Sequence, residues 1–162
     1  MAELTNLETK LGEVIGLAMA AQAATERVEK LTKDSKLKKQ LKTMREEAAK
    51  AEKDGTAVAA SMNGKKGKIL AEARAVKTKG ANMMKTYLER NSDELDGYEF
   101  LTMAEAGEVG HWGVLQELNK QARHPGVRDL IKVQLPIQRR HLKDVMATSL
   151  QLAAKEDANG PA

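Results

Sequence analysis

The chain has 162 residues, no cysteine and a net formal charge of +4, and aromatic residues make up only 2% of it. The absence of cysteine excludes disulfides, thiolate zinc sites and cysteine nucleophiles, and no apolar run reaches the roughly 18 residues of a membrane span. Ala, Leu, Lys, Glu and Met dominate, whereas strand-favouring residues are scarce, so the composition predicts an all-α protein. Because the N-terminal sequence lacks the basic and apolar regions of a signal peptide, we expect a cytoplasmic location.

The first predicted helix begins near Thr5. Thr5 and Glu8 have the spacing of a capping box, in which each side chain accepts a hydrogen bond from the other residue's backbone. Apolar residues then recur at intervals of three and four until about Thr32. This pattern indicates one long amphipathic helix.

A second helix follows, capped by Asp34 or Ser35, and we expect the pair Asp54-Gly55 to end it. The first two helices therefore predict a helical hairpin over residues 5–54. The Ala- and Lys-rich segment 56–90 predicts a third helical region that is interrupted at Asn63-Gly64 and at Gly67.

A second hairpin is predicted over residues 92–154. Asn91 and Glu94 repeat the capping-box spacing at its start. The tripeptide His124-Pro125-Gly126 predicts the break between its two helices, because proline cannot continue a helix and glycine favours turns. We expect residues 157–162 to form a flexible tail.

The charge is distributed unevenly. Residues 30–90 contain 17 Lys or Arg against 7 Asp or Glu, a net charge of +10, which leaves the remainder at −6. A basic segment of this kind is typical of a surface that binds nucleic acid or another acidic partner, although lysines on a solvated helix face give the same pattern.

The most informative stretch of the sequence contains Glu105, Glu108 and His111. Residues three apart lie on neighbouring positions of a helix, and apolar residues flank these three. Glu108 and His111 have the Glu-x-x-His spacing with which one helix offers an oxygen and a nitrogen ligand to a metal. The same residues could instead form hydrogen bonds between helices or a solvated face.

Two further elements carry candidate ligands. Gln138 and His141 on the last predicted helix repeat the spacing, with an amide in place of the carboxylate. Glu47 lies on the inner side of the second predicted helix. The metal site that we predict therefore comprises Glu105, Glu108, His111, Gln138, His141 and Glu47.

Gly107, Gly110 and Gly113 occur within the same helix. Each costs about 1 kcal/mol of helix stability relative to Ala. We expect close packing of another helix, or of another subunit, to offset this cost.

The stretch from Glu105 to Leu115, followed by His124-Pro125-Gly126 and another helix, resembles the second hairpin of YciF-type ferritin-like proteins. The resemblance implies an antiparallel four-helix bundle of two hairpins and a stress-associated homodimer. The region 56–79 has no counterpart in the family, so we expect an extra helical connection within one domain over residues 1–156. Because no segment could span a membrane, we expect no membrane partner.

The resemblance places Glu105 and Glu108 on the acidic positions of the third bundle helix, and Gln138 and His141 in the ligand region of the fourth. The usual site of the family is a di-metal carboxylate centre with glutamates from all four helices, and a complete site would imply a ferroxidase-type oxidoreductase. The predicted ligands suit iron or manganese. Met19 and Met44 stand where the first hairpin of the family supplies ligands. We therefore expect a reduced carboxylate–histidine site. The alternative is a metal-free helical interaction protein whose basic segment 30–90 binds an acidic partner such as nucleic acid.

Overall fold

The computed structural model describes residues 3–161, and this part of the chain is all-helical, as predicted. Met1 and Ala2, at the start of the predicted domain, and Ala162, at the end of the predicted tail, lie outside the described residues. The five helices are α1 Asn6–Leu31, α2 Ser35–Ala60, α3 Lys66–Tyr87, α4 Glu94–Ala122 and α5 Pro125–Ala153. No helix among the described residues is both long enough and apolar enough to cross a membrane.

The start of α1 is confirmed as a capping box. The Glu8 carboxylate accepts a hydrogen bond from the Thr5 backbone N–H at 2.7 Å, and the Thr5 hydroxyl accepts one from Glu8 N–H at 3.2 Å. Asp34, rather than Ser35, caps α2, because its carboxylate accepts hydrogen bonds from the N–H groups of Lys36 and Leu37.

The capping box predicted for Asn91 and Glu94 is wrong by two residues. Asp93 and Asp96 form it instead, with reciprocal hydrogen bonds of 3.0 and 2.9 Å. Several cap-forming residues stand in succession here. The two carboxylates satisfy exposed N–H groups and also complement the positive end of the helix dipole, which an Asn side chain does not.

The predicted end of α2 at Asp54-Gly55 is also wrong, because the helix continues to Ala60. Gly55 is buried, and a Cβ atom added to it would lie 2.7 Å from Cγ1 of Ile15. This glycine therefore makes room for α1 rather than a turn. The turn comes at Asn63-Gly64, as predicted, where both residues have positive φ angles of 37° and 76°. The break predicted at Gly67 is wrong, because this glycine lies in the first turn of α3.

The turn between α4 and α5 lies where the His-Pro-Gly sequence predicted a break. Arg123 adopts the left-handed conformation with φ 55° after the last residue of α4. His124 then caps α5, and its Nδ1 atom accepts a hydrogen bond from Val127 N–H at 3.2 Å. Helix α5 begins at Pro125, two residues earlier than the expected start near Val127.

The helices pack in a definite order. Helix α1 packs against α2, α3 and α4, and α5 packs against α4 and α2. Helix α3 docks mainly on α1 through small residues. A Cβ atom on Gly12 would lie 2.7 Å from the carbonyl oxygen of Ile69, and one on Gly16 would lie 2.3 Å from that of Ala73. Gly12 and Gly16 of α1 therefore make room for the backbone of α3.

The three glycines of α4 for which the sequence predicted close packing do not serve this purpose within the chain. Nothing lies within 4 Å of a Cβ atom added to Gly107, Gly110 or Gly113. The prediction that another helix of the same chain packs on them is wrong for the described residues, because α3 docks on the α1 glycines. Packing of a second subunit on the α4 glycines stays a prediction.

The core consists of two apolar clusters at different heights along the helices. On α4, Trp112 and Leu115 belong to the first cluster and Tyr98 and Leu101 to the second. Residues 102–111 of α4 lie between them. At the corresponding interval of the first hairpin the buried residues are small: Ala18 and Ala21 on α1, and Ala48 and Ala51 on α2.

Candidate functional site

Four polar side chains fill the interval between the two apolar clusters. Glu105 and Glu108 come from α4, and Gln138 and His141 come from α5. Each is only 2% to 4% exposed. We call these four residues the polar layer. The structure thus brings together four of the six predicted site residues in the interior.

The hydrogen bonding of the polar layer is incomplete. The Gln138 side-chain amide donates a hydrogen bond to Oε2 of Glu108. Oε2 of Glu105 lies 3.6 Å from Nδ1 of His141, too far for a hydrogen bond. This Glu105 oxygen and Nε2 of His141 are both buried without a hydrogen-bond partner. Buried groups of this kind are rare and require a structural or functional explanation.

The polar layer also contains two acidic side chains without a lysine or arginine partner. Burial, and next the charge of Glu105, raise the pKa of Glu108 well above its usual value, while the hydrogen bond from Gln138 opposes the rise. None of the described lysines or arginines forms an ion pair with Glu105 or Glu108. Two carboxyl groups are thus buried together. Among the described residues, the imidazole of His141 is the only basic side chain that lies within ion-pair distance of either group.

Glu47 lies at the edge of the polar layer. Its Oε2 is 3.4 Å from Nε2 of His141, and its carboxylate also pairs with Arg140 near the surface. Glu47 is therefore the only one of the six predicted residues that comes from the first hairpin. Its side chain is 20% exposed, so solvent and Arg140 already compensate part of its charge.

His111 lies apart from the polar layer. Its Nδ1 is 3.0 Å from Oε2 of Glu13 and 3.2 Å from Nζ of Lys10, both on α1, and its side chain is 41% exposed. At 3.6 residues per turn, positions six apart point in directions that differ by about 120°. His111 therefore points in a different direction from Glu105, and the structure does not bring its imidazole into contact with the other predicted ligands.

Gln134 was not among the predicted site residues, although it shares a stripe of α5 with Gln138 and His141. It is buried, and both polar atoms of its amide lack a hydrogen-bond partner. The spacing of four residues between Gln134 and Gln138 is the signal that could have identified it. Gln134 extends the run of buried polar groups toward the first apolar cluster.

The donor atoms of the polar layer are of the kinds that bind transition metals, but the side chains are not placed around a common point. Carboxylate and imidazole ligands suit iron and manganese, and unpartnered donor atoms remain on Glu105 and His141. Among residues 3–161, however, no group of three or more His, Cys, Asp or Glu side chains is arranged to hold a metal ion. Binding would therefore require these side chains to turn toward a common point.

The methionines of the first hairpin explain why so few ligands converge. Met44 is buried in the second apolar cluster, and Met19 packs against the first.

Comparisons of the chain with protein-family models, with curated proteins and with solved structures gave no significant match. The geometry of the polar layer is thus the main guide to function.

Proposed function

We propose that the chain is a ferritin-like helical bundle with a reduced metal site in the polar layer. Support comes first from the packing order. Helices α1 and α2 form one hairpin and α4 and α5 the other, and the contacts of α1 with α4 and of α2 with α5 join the hairpins into a ring of four helices. Helix α3 lies against α1 and acts as the extra connection.

The observation that carries the proposal is the buried carboxyl pair. Glu105 lies 3.6 Å from His141 and Glu108 accepts a hydrogen bond from Gln138. No described lysine or arginine forms an ion pair with either carboxyl group, and donor atoms remain unsatisfied. A divalent cation would compensate both carboxylates. The nitrogen of His141 that faces Glu105, and so would bind such a cation, is Nδ1, whereas the unpartnered Nε2 faces Glu47. We assign Glu105, Glu108 and His141 as ligands, with Gln138 as an amide donor or a positioning residue and Glu47 as the nearest additional carboxylate.

The small residues of the first hairpin favour one metal ion over two. Ala18, Ala21, Ala48 and Ala51 offer no donor atoms at the height of the polar layer. Iron or manganese, when bound, would supply redox or Lewis-acid chemistry at this position. We do not assign a ferroxidase reaction, because the di-metal centre that the resemblance implies takes ligands from all four helices and the first hairpin contributes only Glu47.

Metal titration tests the proposal. Protein purified without a histidine tag and treated with a chelator should bind about one equivalent of Mn²⁺ or anaerobic Fe²⁺. Its thermal midpoint should rise, since a ligand present at a hundredfold excess over its Kd stabilises the folded state by about 2.7 kcal/mol. Glu105→Gln should lose this shift because one anionic ligand is replaced by an amide.

Glu99→Gln is the matched control, because Glu99 is an exposed glutamate on the same helix. It should keep the metal-dependent rise in the thermal midpoint. A wild-type chain that binds neither ion, or an unchanged metal content in Glu105→Gln, would contradict the assignment. Homodimer formation and a stress-associated role follow only from the resemblance, and these two and the cytoplasmic location stay predictions.

A second candidate function rests on the basic segment 30–90. Lys38, Lys39 and Lys42 project from the exposed side of α2 and form no ion pair with described residues. Such a row of free cations suits an acidic partner, and nucleic acid is the simplest one. In this case the polar layer would be structural and the surface would carry the function.

A salt titration of binding to duplex DNA tests this alternative. We expect log K to fall linearly with log salt concentration, because each neutralised phosphate releases a counterion. The triple variant Lys38→Gln/Lys39→Gln/Lys42→Gln should reduce the slope. Absence of binding at low salt, or a slope that the triple variant leaves unchanged, would argue against this surface.

A further inference from the structure

An apolar pocket of about 190 Å³ lies between α1, α3 and α4. Helices α1 and α3 provide small and aliphatic walls, including Ala20, Ala24 and Met83, and α4 provides Leu101 and Met103. Its volume is below the roughly 300 to 1,000 Å³ of pockets for drug-sized ligands. A ligand that fits would have only a few carbon atoms.

One wall of this pocket is acidic. Glu105 and Glu108 both line it, so the pocket connects the outside of the bundle with the polar layer. Oε2 of Glu105 is buried without a hydrogen-bond partner, on a side chain that is 2% exposed. That oxygen lies 3.6 Å from Nδ1 of His141. The pocket is therefore apolar apart from residues that include the buried Glu105 side chain, whose carboxyl group forms no hydrogen bond. No lysine or arginine lines it.

Gly107 helps to keep the pocket open. It lines the pocket, and nothing lies within 4 Å of a Cβ atom added to it. Around the pocket, the side chains of Met83 and Met103 are exposed, and that of His111 is half-exposed. The glycine costs α4 about 1 kcal/mol in helix stability relative to Ala. In return for this loss of helix stability, the missing side chain leaves the pocket open.

We propose that this pocket binds a small linear alkylamine, with the alkyl chain along the apolar walls and the ammonium group at the Glu105 carboxylate. The apolar walls stabilise the chain by removing it from water. The ammonium supplies the hydrogen bonds and the opposite charge that the buried carboxylate lacks. A carboxylic acid of equal length would bring a second negative charge to the same point, and a neutral alcohol would leave the charge uncompensated.

The proposal goes beyond the proposed metal site and does not depend on it. An amine and a metal ion would compete for Glu105. The experiment is therefore done on the full chain in the presence of a chelator, so that failure to bind metal leaves its result unaffected.

Calorimetric titration with n-hexylamine, 1-hexanol and hexanoate tests the proposal. The three probes share one chain length and differ in charge. We expect hexylamine to bind roughly tenfold to a hundredfold more tightly than hexanol, the usual advantage of a charge-assisted hydrogen bond, and hexanoate not to bind. Equal affinities for hexylamine and hexanol, or stronger binding of hexanoate, would overturn the proposal.

Two substitutions in α4 locate the binding site. Gly107→Leu should abolish amine binding, because the new side chain fills the pocket. Gly110→Leu should leave binding intact, because Gly110 has equally open surroundings but does not line the pocket. Glu105→Gln should lower the hexylamine affinity to that of hexanol. If Glu105→Gln does not fold, the comparison of Gly107→Leu with Gly110→Leu still tests the proposal. Unchanged hexylamine binding in Gly107→Leu would overturn it.

Discussion

Gly16→Ala should destabilise the protein by about 1–3 kcal/mol or more, the usual cost of overpacking a core. A Cβ atom at this position would lie 2.3 Å from the carbonyl oxygen of Ala73 and 2.8 Å from Cβ of Val76. A backbone oxygen within a helix cannot turn aside, so α3 would have to move away from α1. Ala is the better helix former by about 1 kcal/mol, and the clash must exceed this gain.

Gly110→Ala is the matched control, because Gly110 is helical and has open surroundings. It should stabilise the chain by up to about 1 kcal/mol. Urea unfolding of both variants measures the difference in the free energy of unfolding. A neutral or stabilising effect of Gly16→Ala would mean that α3 does not dock on α1 as described, and the pocket between α1, α3 and α4 would then lose its walls.

Glu108→Gln should have opposite effects on the metal-free and the metal-loaded protein. Burial and the neighbouring Glu105 raise the pKa of Glu108 in the folded state. The folded chain therefore holds this proton to higher pH than the unfolded chain does. Its stability must fall as pH rises from the usual glutamate value of 4.5 toward the raised pKa.

Glutamine at position 108 removes this pH dependence of the stability, because it stays neutral. Its amide oxygen can still accept the hydrogen bond from Gln138. In the metal-free state, Glu108→Gln should thus gain stability over wild type as pH rises, by about 1–3 kcal/mol when the wild-type group would ionise without a partner. With metal present it should lose the metal-dependent stabilisation instead. Urea unfolding between about pH 5 and about pH 8, with and without Mn²⁺, measures both effects.

Glu99→Gln serves again as the control and should change stability little at either pH. A constant difference between Glu108→Gln and wild type over this pH range would contradict the raised pKa. A metal-dependent shift that survives Glu108→Gln would separate Glu108 from the metal site while leaving its burial intact.

Local signals in the sequence were sufficient for most helix boundaries. The capping box of Thr5 and Glu8 and the His124-Pro125-Gly126 break involve residues within a few positions of one another, so their chemistry can be read from spacing. The convergence of Glu105, Glu108, Gln138 and His141 was also predictable, because each lies on the apolar stripe of its helix and inward polar residues on facing helices meet.

Contacts between distant segments were not predictable in this way. The same residue type opens space for a neighbouring helix at Gly16 and Gly55, yet borders an open pocket at Gly107. Whether a glycine contacts a neighbouring helix or borders a pocket depends on residues far away in the sequence. The spacing of residues within one helix carries no information about those distant residues. For His111 the failure was geometric: it lies six positions after Glu105, about 120° further around the helix, and its Nδ1 contacts Glu13 and Lys10 of α1 instead.

The central claim is that His141, together with Glu105 and Glu108, holds a metal in the polar layer. Electron spin-echo spectroscopy of the Mn²⁺-loaded protein tests it most directly, because a coordinated imidazole nitrogen couples to the manganese spin. We predict a nitrogen coupling that disappears in His141→Gln and persists in His111→Gln. A coupling that persists in His141→Gln, or a chain that retains no Mn²⁺ at all, would contradict the claim.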